Sequence, residues 1–446
     1  MDGAALLTRA ERMVEKARAQ APAEVEFYLE EGHGLDVELE NDALAATSYG
    51  RSAGGSVRVV HDGRVGFAYF TRDTDASAAF DQALRQSRHA PALGYHLPSA
   101  QRPSALPGRW DDSVAALDPD AVLSMARDML SARKETAPNA VLSGGAVSLE
   151  AGAWAIASSQ GVGAWDRSTG ASAMASLVLS EGGRAISAGE HKSSHKLDVD
   201  CRSVTAGAAR KVLDLRNPRA VEKGGRFDVI LGPEATAELV VDLAVSAATG
   251  DDARRGRTVW SGKLGEPVAS VRFALHDDPF HKGAIGAAPM DGEGAPTNRL
   301  AIIEGGVLQN FLYDSFDAHR HHAASTRSAV RSDFKSRPAT GTHHLVASSS
   351  GARPLAALIG GVDDGFLVDS ILGAHTANAT TGEFSVTSPN VWRIRKGAIA
   401  GAASEIAISG TLADALARLD GTSKEAKAMD GMSMPHVCLR GMDVSV

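Results

Sequence analysis

Residues Phe227 to Asp252, FDVILGPEATAELVVDLAVSAATGDD, constrain the fold more than any other stretch of the chain. An apolar strand, Phe227–Leu231, enters a Gly-Pro turn. A helix of about four turns follows. Its apolar positions Leu239, Val240, Leu243 and Val245 fit burial, so this strand–turn–helix unit belongs inside a core.

The rest of the chain supplies enough material for such cores. Its 446 residues suit two domains of ordinary size. A hydrophobic content of 43% with 22% charged residues marks a globular chain rather than a disordered one. The net charge of −8 speaks against a general nucleic-acid binder. Two cysteines, Cys201 and Cys438, form no C-x-x-C pair and suggest a reducing compartment. The first twenty residues read as a charged amphipathic helix without the apolar core of a signal peptide. No uninterrupted apolar run is long enough to span a membrane. The expected location is the cytoplasm.

The pattern predicts an α+β chain. A first domain, 1–220, is mixed α/β with antiparallel strands. A second, 221–446, is mostly antiparallel β around a central buried helix. In the first, helices are expected over residues 4–20, Ala76–Ser87, Asp118–Glu135 and Ser203–Leu213. Strands are expected at Val25–Glu31 and Gly34–Glu40. A Gly-containing link then leads to a hairpin, Ser56–His61 and Arg64–Phe70, around an Asp-Gly turn. Residues 90–118 read as a long surface loop. From Ala140 to Asp200, alternating Ser, Gly and Ala suggest antiparallel strands. The second domain reads as strands and Gly-rich loops, with a further helix at Arg353–Ile359.

Several short segments then recur in a fixed order: GDDARRG (Gly250–Gly256), ALHDDPF (Ala274–Phe280), GAAPMDGEGAPT (Gly286–Thr297), the hairpin AIIEGGVLQNFLYDSFDA, a Ser325-Thr326 turn, LVDSILGAHTANATTGEFSV (Leu367–Val386) and EIAISGTLADAL (Glu405–Leu416). In this order they resemble the TldD/TldE (PmbA) family of two-subunit metalloproteases. The likeness covers nearly the whole chain and is clearest from about residue 226. In TldD-type subunits of that family, the central helix carries a His-Glu-x-x-x-His zinc motif. Without gaps, that motif falls on Val241, Asp242 and Ser246. Val241 cannot bind a metal, and Ser246 is a poor zinc ligand. The family's third ligand is a cysteine in a Gly-x-Cys-Gly turn, and the matching stretch LDGTSKEAKAMDG has none. Cys438 lies later and reads as a buried packing residue. The resemblance thus implies a TldE-like subunit with no catalytic residue, metal or cofactor of its own. Zinc is expected in a TldD-type partner.

The remaining polar groups have structural as well as chemical readings. His319, His321 and His322, with His343 and His344 further on, form the densest histidine group. His191 and His195 have the spacing of a helical metal pair but strand-like surroundings. Solvated loops account for all of them. His276, Asp277, Asp291 and Glu293 gather acidic groups in a Gly-rich setting. As chemistry they would be paired carboxylates; as structure, turn formers. A role as walls of a shared substrate channel is the expectation kept for them. Gly373, Asn378, Thr381 and Gly382 belong to a Gly-rich loop without P-loop or Rossmann spacing. Nucleotide binding is rejected there, and Asn378 and Thr381 join the cavity candidates. Arg254, Arg255 and Arg257 read as a solvated loop.

The resemblance implies half of an enclosed cavity, with a TldD-type partner and an extended peptide as companions and neither nucleic acid nor membrane involved. A dimer is expected. Two alternatives stay open: a metal-free homodimeric peptide-binding protein with a repurposed cavity, and an enzyme built on the histidine cluster.

Overall fold

The computed structural model describes residues 1–102 and 106–446. Residues 103–105 of the loop expected over 90–118 lie outside this description. The rest of that loop carries one short helical turn, Asp112–Ala115 (α3).

The first domain is built on a six-stranded sheet. In chain order its elements are α1 (Gly3–Gln20), β1 (Glu24–Glu40), β2 (Ala43–His61), β3 (Arg64–Phe70), α2 (Ala76–Ser87), the turn α3, α4 (Pro119–Thr136), β4 (Val141–Ser158), β5 (Gly163–Glu181), β6 (Arg184–Ser194) and α5 (Cys201–Asp214). The sheet order is β3-β2-β1-β4-β5-β6, and every neighbouring pair is antiparallel. The Asp-Gly hairpin forms as expected: Asp62 and Gly63 both have positive φ, which matches the right-handed twist of the flanking strands.

Two expectations need correcting. Val25–Glu31 and Gly34–Glu40 are one continuous strand, β1, and the presumed link after it is the first half of β2. Gly32 and Gly34 do not break β1, because β2 and β4 pair with it in continuous register around both glycines. The turn lies instead at Asn41-Asp42, both at positive φ. The Asp42 carboxylate anchors that turn by accepting from Leu142 N at 3.0 Å and Arg133 Nε at 2.8 Å.

Odd-numbered residues of β1 make one face. Val25, Phe27 and Leu29 pack beneath α1 and α2. Leu35, Val37 and Leu39 pack with α4 and α5. Two helix pairs therefore cover one face of long strands at their two ends. On the opposite face, Tyr28 and Ile156 pack against Met290 and Phe334 of the second domain.

The second domain follows a linker from Leu215. It opens with β7 (Gly225–Leu231) and holds a twelve-stranded, mainly antiparallel sheet. Parallel pairs join β7 to Asp364–Val368, and Leu345–Ser349 to the C-terminal strand Met432–Ser445. That C-terminal strand also pairs with β7 and Leu419–Met429, so it runs through the middle of the sheet. The α+β class and the antiparallel character are thus present.

The central helix is less regular than its pattern predicts. An α-turn, α6 (Pro233–Thr236), passes into a π-helical turn, Ala237–Val241, and then α7 (Asp242–Ala247). Pro233 fits at the first helical position, where its missing N–H costs nothing. Gly232 sits where a Cβ would lie 3.1 Å from the Val368 carbonyl, so a side chain there would push the turn off the sheet. Leu239, Val240, Val241, Leu243, Ala244 and Ala247 enter the main core.

Candidate functional site

The central helix turns its polar face to a cleft of about 560 Å³. Glu238, Asp242 and Ser246 line one wall at intervals of four residues. The opposite wall is the loop Ile371–Ala379, including Leu372, Gly373 and His375. Burial, then Asp242 and Glu234, raise the Glu238 carboxyl above its ordinary value. Burial likewise raises Asp242. Val241 does not share this wall; it is fully buried in the core.

These groups do not fit a zinc site. Of the three motif positions, one is an aliphatic core residue, and the other two offer a carboxylate and a hydroxyl. Among the described residues, no three His, Cys, Asp or Glu side chains converge to hold a metal. Burial pushes the Cys438 thiol up to about 11 and Cys201 up to about 12, so both stay protonated and poor ligands. Cys438 lies in the core between β7 and its neighbours.

The structure disperses the cavity candidates. Asn378 and Thr381 sit in the exposed turn beside the cleft. The Asn378 side-chain Oδ1 accepts from Thr380 N at 2.9 Å and Thr381 N at 3.2 Å, which fixes the loop whose Ala377 and Ala379 line the opening. His276, Asp277, Asp291 and Glu293 are buried and line no part of this cleft. Within this chain each meets protein partners. His276 Nε2 lies 2.6 Å from Glu304. Asp277 accepts from the backbone N–H groups of His343 and His344, at 2.9 and 2.8 Å. Asp291 Oδ1 accepts from Glu293 N and Ala295 N, both at 2.9 Å, as a turn former does.

Glu293 joins the two domains. It accepts from Arg58 Nη1 of β2 at 2.7 Å, and from Ser315 N at 2.9 Å and Oγ at 2.6 Å. Arg58 also donates to Glu26 of β1 at 2.6 Å, and Glu26 accepts from Arg331 at 2.6 Å. All four charged side chains are almost completely buried. Burial would raise Glu293, but Arg58 and Ser315 hold it below its ordinary value. Its neighbour Asp291 has no such cation. Burial and the Glu293 charge push it up to about 7.

A second junction lies at the start of the central helix. Lys427 pairs with Glu190 of β6 and with Glu234. Lys211 of α5 reaches Glu190 at 2.7 Å and Asp369 at 2.8 Å. Burial opposes the Lys211 charge, yet Asp369 and Glu190 raise its pKa. Sequence reading missed both junctions and also Glu238. Only Glu238 had a local signal, one helical turn before Asp242.

The histidines do not assemble. His319 Nε2 meets Leu93 O at 2.8 Å, His321 Nε2 meets Asp251 at 2.6 Å, and His344 Nε2 meets Ser433 Oγ at 3.0 Å. His191 lies on β6, which removes the helical spacing with His195. Arg254, Arg255 and Arg257 face Tyr313, Asp251 and Asp252.

Fold and site together define a two-domain α+β protein whose second sheet carries a buried helix with a polar cleft face. The PmbA/TldA metallopeptidase C-terminal domain matches residues 224–446, half of the chain, and the PmbA/TldA metallopeptidase domain 1 matches residues 25–90. The chain therefore belongs to the PmbA/TldD metallopeptidase family. An uncharacterised protein of Methanocaldococcus jannaschii is 26% identical over 84% of this chain and 86% of its own length. A metalloprotease TldD homolog of Buchnera aphidicola is 25% identical, covering 50% of this chain and 45% of that relative. The crystal structure of TldE from Thermococcus kodakarensis superposes with a TM-score of 0.90 at 24% identity, over 98% of this chain and all of that one. This last match speaks to the fold.

Proposed function

We propose that this chain is the non-catalytic, TldE-like subunit of a heterodimeric zinc metalloprotease acting in the cytoplasm on unfolded or extended peptides. The carrying observation is the central helix: of its motif positions, Val241 is buried in the core, while Asp242 and Ser246 line a cleft beside Glu238. Peptide-bond cleavage is assigned to the zinc and motif glutamate of a TldD-type partner. This chain supplies cavity wall and a strand edge.

The edge is the first half of β2. Residues 43–53 pair with β1 on one side, while β3 covers only Gly55–His61 on the other. The stretch is solvent-exposed, including Leu44 and Tyr49, and carries one charge, Arg51. Such an edge is a template for an added strand, from a peptide or a partner. Co-expression with a TldD-type chain followed by gel filtration tests the assembly. A stable complex of the two chains is expected. A chain that stays apart from every TldD-type partner sinks the proposal, and peptide binding by a self-associated chain would favour the metal-free homodimeric reading.

A further inference from the structure

A second concave site lies at the interdomain linker, away from the helix cleft. Its volume is about 380 Å³. One wall is the linker, with Arg219, Glu222 and Lys223. The other is the Val391–Arg395 and Ala398–Ala403 hairpin, with Arg393 and Arg395, and Phe227 forms part of the floor. The linker is docked by its backbone. Arg219 N donates to Ala402 O at 3.0 Å, Ser404 N donates to Arg219 O at 2.9 Å, and Val221 N donates to Ser404 Oγ at 3.0 Å.

The charges here do not balance. Four cations line the site against two carboxylates, Glu222 and Asp364. Asp364 is shared by Arg393 and Arg395, the latter at 2.6 Å. Among the described residues, Arg219 and Lys223 have no ion-pair partner. Arg393 is held in place by rings: its guanidinium lies 4.8 Å from the Phe227 centroid and 4.4 Å from that of Phe366. Its side chain is 14% exposed, and its Nη1 is enclosed without a hydrogen-bond partner. Burial lowers its pKa even though Asp364 favours the charge. Solvated surface arginines do not need an aromatic floor, a concave wall or a shared carboxylate. Fixed guanidinium forks beside an apolar surface suit planar anionic oxygens attached to a small apolar body.

We propose that this pocket binds a small molecule bearing a phosphate or carboxylate, its anionic oxygens among Arg219, Lys223 and Arg395 and its apolar part on Phe227. Occupancy would tie the linker to the edge of the second sheet and stiffen the joint between the domains.

Calorimetric titration of the full chain with phenyl phosphate, phenylacetate and uncharged benzyl alcohol tests this. At least one anion is expected to bind and the alcohol is not; which anion binds tells phosphate from carboxylate chemistry. The bound anion should slow tryptic cleavage after Arg219 and Lys223. The exposed double variant Arg219→Gln/Lys223→Gln should weaken binding about tenfold or more without moving the ligand-free Tm, and Arg395→Gln should weaken it independently. The proposal falls if neither anion binds, if the alcohol binds equally well, or if both variants bind as the wild type does.

Discussion

At the scale of single residues, the boldest feature is charge placed inside the domain interface. Arg58 pairs with both Glu26 and Glu293, and Arg331 with Glu26, all four side chains being nearly completely buried. Removing one partner of such a network leaves the others buried and unpaired. Arg58→Ala should therefore lower stability by about 3–5 kcal/mol in urea denaturation, and a loss below about 1 kcal/mol would contradict the assignment. Asp291 gives a pH signature. Its carboxyl titrates at about 7 in the folded chain and near 3.9 when unfolded. The folded state thus holds the proton more tightly. The stability linked to that proton is full below about pH 4 and is lost as pH rises through about 7. Asp291→Asn stays neutral and keeps an oxygen for Glu293 N and Ala295 N. Relative to wild type, the variant should gain on the order of 1–4 kcal/mol between pH 4 and 8, read from denaturation curves. A constant difference across that range would remove Asp291 as the titrating group. The turn role of Asp291 was legible in the local run DGEG. The role of Glu293 was not, because its cation lies 235 residues earlier in the chain.

At the scale of elements, local pattern succeeded where local forces decide. The Asp62-Gly63 hairpin and helices α1, α2, α4 and α5 follow from turn chemistry and apolar spacing. It failed where tertiary context overrides propensity. Gly32 and Gly34 look like breakers, yet strands on both sides keep β1 whole. The central helix was legible as a buried helix, while its π turn left no readable mark. Its motif positions now divide into core and cleft. Val241→Ala should cost about 1–3 kcal/mol through lost packing, whereas Ser246→Ala should stay within about 0.5 kcal/mol. Equal costs at the two positions, measured by thermal or chemical unfolding, would mean that the helix does not face core and cleft as described.

At the scale of the whole molecule, two ion networks join the domains: Arg58, Glu293, Glu26 and Arg331 at one place, and Lys427, Lys211, Glu190, Glu234 and Asp369 at another. They tie the first sheet and its helix α5 to the second domain at two separate places. A rigid frame of that kind suits a subunit that shapes a cavity and leaves bond cleavage to another chain. Reconstitution measures this most directly: hydrolysis of an unstructured peptide is followed as this chain is titrated into a zinc-loaded TldD-type subunit. This chain alone should give no hydrolysis, and activity should rise until the two chains are equimolar. Hydrolysis by this chain alone, or partner activity indifferent to its presence, would contradict the proposal.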